Sequence, residues 1–229
     1  MSSSPFVSVI LVAGGNGMRM GASVPKQYLP LNGKPVVLHS FSLFAELPGV
    51  REIIVVCDEQ YRSLFPLLRI PRLLFASPGI RRQDSVWNGF CKAAAESQLI
   101  CIHDSARPLL SAEDCRAVLE EGLTYGAAVL ATPVKYTIKS STAEGFVRKT
   151  LDRRVLWDIQ TPQVVIPKWL HAGFVKARAL DDLTVTDDVS LVELLGHPVK
   201  LVKGSDSNIK ITTPTDLRSA ESLLDLFRN

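Results

Sequence analysis

The stretch Val9–Gln27, VILVAGGNGMRMGASVPKQ, decides how this chain is read. The apolar run from Val7 to Val12 has the length and β-branched content of a strand buried on both faces. It breaks into four glycines within eight residues (Gly14, Gly15, Gly17 and Gly21), interleaved with Arg19 and followed by Pro25-Lys26. Glycine lets a backbone approach a ligand closely and take positive φ, so several N–H groups can face one anion. Arg19 and Lys26 at the far side of such a loop would neutralise phosphate charge. A loop after a first buried strand is also where open α/β sheets bind ligands. The expectation is therefore a phosphate-binding loop rather than an ordinary glycine-rich turn.

Two common phosphate patterns fail on specifics. A P-loop ends in Gly-Lys-Ser/Thr, whereas Lys26 follows Pro25 and precedes Gln27. The dinucleotide fingerprint matches at Gly15 and Gly17, but Met20 stands where the third small residue should pack. The next strand-end acid, Asp58, lies far beyond the roughly 20-residue spacing that reaches a ribose.

The 229 residues suffice for one sizeable α/β core, and 46% hydrophobic with 21% charged residues is ordinary for a globular protein. A net charge of +3 without a Lys/Arg run argues against nucleic acid as a partner. Cys57, Cys91, Cys101 and Cys115 are scattered singly, which reads as reduced core cysteines rather than a metal or disulfide pattern. No stretch approaches 18 apolar residues, so no membrane span is expected, and MSSSPF is no signal peptide. The expected location is cytoplasmic, or plastid where a transit peptide has been removed.

Along the chain, a helix is predicted from Pro35 to Leu47 and buried strands at Glu52–Cys57 and Leu99–His103, with a weaker one at Arg72–Ala76. Asp58 is expected to cap a helix after the second strand, and a further helix is expected from Ser85 to Glu96. Ser111 with Asp114 resembles a capping box for a helix to Glu121, and Ala127–Ala131 reads as a strand. This alternation predicts a mostly parallel, Rossmann-like twisted sheet covered by helices on both faces. Residues 134–163 interrupt it. Lys135–Ser140 and Phe146–Leu151 flank a turn at Ser141–Gly145, a polar hairpin with little of its own to bury. It is expected to project as an arm from the single domain spanning residues 1–229 and to pack on another subunit. Helices at Pro167–Leu180 and Asp187–Leu195, short strands at Lys200–Lys203 and Asn208–Ile211, and a final amphipathic helix to Phe227 complete the reading.

Asp104 ends a buried strand at the edge where α/β sites form. Taken alone it would cap the next turn or pair with Arg107. Taken with the loop, it is a natural Mg²⁺ ligand, since magnesium prefers one or two carboxylates plus substrate phosphates. Arg82, Thr137, Arg153, Thr161, Thr186 and Lys210 stand singly outside regular elements, where each alone reads as a solvated surface residue. Asp187 and Asp188 read as caps of the following helix. His39, His103, His171 and His197 have no serine or carboxylate partner that the sequence identifies, so no nucleophile–base pair is evident. Phosphoryl and nucleotidyl transfer need none.

Six blocks, AGGNGMRM…PKQY, GIRRQDSVWNG, HDSARP, LDRRVLWDIQTPQ, TVTDD and SNIKITTP, occur in an order and spacing that resemble the 2-C-methyl-D-erythritol 4-phosphate cytidylyltransferase family of the non-mevalonate isoprenoid route. The resemblance covers nearly the whole chain. It implies Mg²⁺ as cofactor, CTP and a sugar-alcohol phosphate as substrates, and a homodimer joined by the arm. By position, Arg19 and Lys26 would be catalytic and Asp104 would bind the metal. Ala13, Gly14, Gly15, Gly17, Gly79, Arg82, Ser85 and Ser105 would hold the nucleotide. Thr137 and Arg153 would reach a partner's site, where Thr161, Thr186 and Lys210 complete the acceptor pocket. Gly14 stands where many members have alanine, and Ile80 where some carry an acid. The rival readings are a ribitol-5-phosphate cytidylyltransferase, another sugar-phosphate nucleotidyltransferase, a nicotinamide dehydrogenase and a non-catalytic nucleotide-binding regulator.

Overall fold

In chain order the strands are β1 (Val7–Val12), β2 (Pro30–Leu31), β3 (Lys34–Pro35), β4 (Val50–Val56), β5 (Leu73–Ala76), β6 (Leu99–Asp104), β7 (Ala127–Pro133), β8 (Lys139–Ser141), β9 (Val147–Thr150), β10 (Trp157–Val165) and β11 (Lys200–Lys203). The helices are α1 (Val36–Glu46), α2 (Arg82–Phe90), α3 (Ala112–Tyr125), α4 (Pro167–Ala179), α5 (Ser190–Leu194) and α6 (Pro214–Arg228). The computed structural model describes residues 5–15, 24–66, 72–180 and 185–228. Gly17 and Arg19 lie outside these.

Seven strands form one sheet in the order β11-β7-β10-β6-β1-β4-β5. β1 is parallel to β4 and β6, β5 to β4, and β11 to β7, while β10 runs antiparallel to both its neighbours. The sheet is mostly parallel, as the alternating pattern implies. Period-2 alternation divides each apolar strand between two cores. Val9, Leu11, Ile53, Val55, Leu99 and Cys101 face one core, with Phe41 and Phe44 of α1 and Val118 of α3. Ile10, Ile54, Val56, Ile100 and Ile102 face the other, with Val86 of α2, Phe174 of α4 and Val192 of α5. With helices on both faces, near-continuous apolar strands are what the fold requires.

Local signals place the ends. Ser111 Oγ accepts the Asp114 N–H at 3.0 Å, so the expected cap of α3 is present. Gly126 ends that helix in the left-handed region at φ 86° and returns its N–H to the Gly122 carbonyl.

Several expectations are corrected. β10 is not expected from the sequence, because WDIQTPQVV carries a polar outer half and Pro162, which cannot donate to a ladder. Its pairing with β7 shifts register between Ile159 and Gln163, which takes Pro162 out of the ladder and lets the strand sit inside the sheet. α2 starts at Arg82, not Ser85, because Asp84 accepts the Arg81 N–H at 3.1 Å, and it stops at Phe90 instead of Glu96. Asp58 precedes only a short 3-10 turn and its side chain caps nothing. Residues 208–211 are not a strand: the Ile211 N–H goes to the Ala106 carbonyl across the site. α5 is one short turn-and-a-half beginning at Ser190.

The arm is present as the small β8–β9 hairpin, which among the described residues pairs only within itself. Tyr136, Phe146, Val147 and Val155 on and beside it are exposed.

Candidate active site

Chain direction creates the site. From β1 the chain moves to β4 and β5 on one side, then returns to place β6 on the other side of β1. The carboxyl ends of β1 and β6 therefore flank a topological switch point, where open α/β sheets form their ligand crevices. Val12 and Asp104 are register partners there. A cavity of about 470 Å³ opens at this edge, lined by Gly14, Gly15, Lys26, Gly79, Arg82, Ser85, Asp104, Ser105 and Lys210 among others. Residues from four distant parts of the sequence thus meet in one place.

Asp104 is the centre of charge. Arg82 donates from Nε to Asp104 Oδ1 at 3.0 Å, and Lys210 Nζ lies 2.5 Å from Oδ2. The other edge of the Arg82 guanidinium grips Asp188 with two bonds, at 2.9 and 2.8 Å. Burial would raise the Asp104 carboxyl, but the guanidinium and ammonium outweigh it and hold the group well below the usual carboxylate range. Arg82 is raised in turn by its two carboxylates, against its own burial. Asp104 pairs with Arg82 and Lys210 rather than Arg107, whose Nη1 donates to the Asn208 carbonyl at 2.6 Å.

Two sequence readings change here. Arg82 is not a solvated loop residue but the first residue of α2, with both edges of its fork occupied. Asp188 does not cap α5; it is buried against Arg82, while Asp187 accepts the Ser190 N–H at 3.0 Å and does cap.

Thr161 belongs to β10 and is buried, with its hydroxyl between Asp104 and His103. His103 is fully buried and its ring nitrogen Nε2 faces the Arg107 carbonyl at 3.0 Å, so Nε2 carries the proton. Its Nδ1 then accepts from Thr161 Oγ1 at 3.1 Å, and Oγ1 accepts the Asp104 N–H at 3.1 Å. Burial lowers the His103 pKa to about 4, which keeps the ring neutral and this chain of bonds directional.

Other expected residues are more dispersed. Ala13 is buried and does not line the cavity, and Ser105 Oγ donates to the Val12 carbonyl at 2.7 Å. Gly79 N–H donates to Ser85 Oγ at 2.9 Å, which ties the 78–80 turn to α2. Thr186 lines a neighbouring cavity of about 240 Å³ with Arg81, Gln83 and Asp187. Thr137 and Arg153 are exposed on the arm, where Arg153 Nη1 donates to the Lys135 carbonyl at 2.6 Å. Among the described residues no group of three or more His, Cys, Asp or Glu side chains could hold a metal by itself.

Sequence reasoning missed the buried amides that hold this edge together. Gln163 Oε1 accepts the N–H groups of Asp188 and Val189 at 2.8 and 3.0 Å, fixing the turn that presents Asp188. Asn208 Nδ2 donates to Gln160 Oε1 and the Thr161 carbonyl, tying the segment that carries Lys210 to β10. A polar residue within an apolar strand end was the available signal.

A glycine turn and a cationic cavity at the switch point of a mostly parallel sheet define an α/β enzyme of the nucleotidyltransferase type. Comparison narrows the class. The model of the 2-C-methyl-D-erythritol 4-phosphate cytidylyltransferase family matches residues 7–226. A chloroplastic protein of that name from Oryza sativa subsp. japonica is 53% identical over 223 residues, covering 96% of this chain and 74% of its own length. Its namesake from Pelotomaculum thermopropionicum is 42% identical, covering 95% of this chain and 94% of its own. The crystal structure of 4-diphosphocytidyl-2C-methyl-D-erythritol synthase from Anaerococcus prevotii superimposes with a TM-score of 0.85 at 27% identity, covering 97% of this chain and 99% of that one. The Thermus thermophilus cytidylyltransferase structure gives 0.78 at 32% identity, covering 95% and 98%. The chain belongs to the 2-C-methyl-D-erythritol 4-phosphate cytidylyltransferase family, and it is a cytidylyltransferase. No helix among the described residues is long and apolar enough to cross a membrane.

Proposed function

We propose that this chain transfers CMP from CTP to 2-C-methyl-D-erythritol 4-phosphate in the non-mevalonate route to isoprenoids. An oxygen of the acceptor phosphate attacks the α-phosphorus of CTP. A new P–O bond forms, the α–β bridge breaks, and 4-diphosphocytidyl-2-C-methyl-D-erythritol and pyrophosphate are released. The observation that carries this reading is the ring of Lys26, Arg82 and Lys210 around one cavity at the switch point.

Both reactants are anionic, so the main obstacle is their mutual repulsion. Fixed cations aimed at the developing charge supply several kcal/mol against it. Arg19 and Lys26 are assigned that role at the triphosphate. Ala13, Gly14, Gly15, Gly17, Gly79, Ser85 and Ser105 are assigned to the nucleotide. Arg82, both of whose edges hold carboxylates, acts on it by fixing Asp104. Thr161, Thr186 and Lys210 are assigned to the acceptor side. The Asp104 carboxylate lines the cavity with its oxygens held by Arg82 and Lys210, and it would serve Mg²⁺ arriving with phosphate oxygens as its other ligands once Lys210 turns to the acceptor. When bound there, the ion supplies further neutralisation of phosphate charge.

The exposed apolar groups on the arm, Tyr136, Phe146, Val147 and Val155, support a homodimer in which Thr137 and Arg153 enter the partner's site. A monomer at micromolar concentration in a dilution series of solution mass would overturn that part. The decisive assay is pyrophosphate release from CTP and Mg²⁺ with methylerythritol phosphate, beside ribitol phosphate and no acceptor. Release with methylerythritol phosphate alone is the expected result; release with ribitol phosphate alone would move the assignment to that substrate.

A further inference from the structure

The turn from β1 into the glycine stretch is held from one side by a short piece of chain that follows the loop. Residues Lys26–Tyr28 form a single 3-10 turn with Gln27 and Tyr28 buried. The Ala13 carbonyl accepts two side-chain bonds from it, from Gln27 Nε2 at 2.7 Å and from the Tyr28 hydroxyl at 2.8 Å. Gln27 Nε2 also donates to the Gly15 carbonyl at 2.9 Å. On its other side Ala13 gives its N–H to the Val56 carbonyl at 2.9 Å, so the residue is anchored in the sheet and clamped at once. The Tyr28 ring lies flat on Tyr61, with centroids 3.7 Å apart, which fixes the direction of its hydroxyl.

We infer that Gln27 and Tyr28 are positioning residues for nucleotide binding, because they set the peptide planes at the base of the phosphate loop. A trans peptide is planar and its C=O and N–H point opposite ways, so holding the Ala13 carbonyl fixes the Gly14 N–H. Glycine gives these peptides freedom to turn, which is the freedom a loop must lose before its N–H groups can converge on an anion. The same turn carries Lys26 into the cavity, so one element aligns both the backbone and a cation. The inference rests on the reading that CTP binds at this loop.

The test measures CTP binding at equilibrium, together with KM for each substrate, in the full chain and in Tyr28→Phe, Gln27→Met and the double variant. Tyr28→Phe keeps the ring stack and removes only the hydroxyl. Each single variant is expected to weaken CTP about 3–10-fold and the double about 10–50-fold, with KM for the acceptor phosphate within about twofold of wild type. Gln27→Glu adds a readout that a merely structural role would not move. A neutral carboxyl can donate to the Ala13 carbonyl, whereas a carboxylate can only oppose it. The ratio of its CTP Kd to that of wild type should therefore rise with pH. A double variant binding CTP within about twofold of wild type, or a flat ratio, would overturn the clamp alone. Wild-type chain that binds no CTP would overturn the nucleotide reading and the clamp with it.

Discussion

Alanine at Gly79 should unfold the protein at a markedly lower temperature, and the structure sets the scale. A Cβ built there would lie 2.3 Å from Asp84 Cβ, 2.8 Å from the Asp84 carbonyl carbon and 2.9 Å from Ser85 N. Two of these atoms are backbone at the start of α2, and Asp84 is held in place by its bonds to the Arg81 N–H and guanidinium. The 78–80 turn must therefore give way, and the Gly79–Ser85 bond goes with it. Overpacking of this kind costs about 1–3 kcal/mol and the lost bond about 1 kcal/mol, so about 2–4 kcal/mol in all. For a chain of this length that lowers Tm by about 4–16 °C. Two glycines across the same cavity are internal controls. At Gly14 the added carbon would meet the Pro78 ring at 2.5 Å, a stiff neighbour but a side chain, so the loss should be about 1–3 kcal/mol. At Gly15 no atom of the described residues lies within 4 Å, and the change should stay within about 0.5 kcal/mol. Thermal and urea unfolding of the three variants reads the order directly. Gly79→Ala melting with wild type while Gly15→Ala falls furthest would refute the packing argument.

Asp104→Asn leaves Arg82 shared with Asp188 alone and Lys210 without its carboxylate; the expected cost is about 2 kcal/mol, discounted for the partly exposed Lys210, with turnover down by orders of magnitude. Acid should destabilise the protein through His103. Its folded pKa of about 4 lies below the unfolded value of 6.5, so the unfolded chain binds the extra proton and stability falls as pH drops through that interval. Between about pH 7 and about pH 4.5 wild type should lose about 2 kcal/mol more than His103→Gln, and parallel urea-derived profiles would contradict a buried neutral imidazole. Gln163→Leu strands the N–H groups of Asp188 and Val189; a stability loss of about 2–3 kcal/mol is expected by urea unfolding, and a neutral result would remove Gln163 from the support of the Arg82–Asp188 pair.

The central strands and both helix-covered faces were legible because each leaves a local signature. Val7–Val12, Glu52–Cys57 and Leu99–His103 are apolar runs whose burial on two faces follows from their composition alone. Ser111 with Asp114 marks a helix start whatever surrounds it. Motif order was enough to point to the family, and with it to Lys26, Asp104 and Lys210. Tertiary structure decided the rest. β10 is a strand only because β6 and β7 offer it a slot on both sides, which overrides Pro162 and a polar half. Arg82 looks like a surface cation until the fold brings Asp104 and Asp188, 22 and 106 residues away, against its two edges. Gln27, Tyr28, His103 and Gln163 fall inside the motif blocks, but no local pattern shows their roles, because most of their partners are backbone carbonyls and amides, which every residue possesses. Periodicity and spacing record what a segment buries; which distant backbone group meets a given side chain is fixed only when the chain closes on itself.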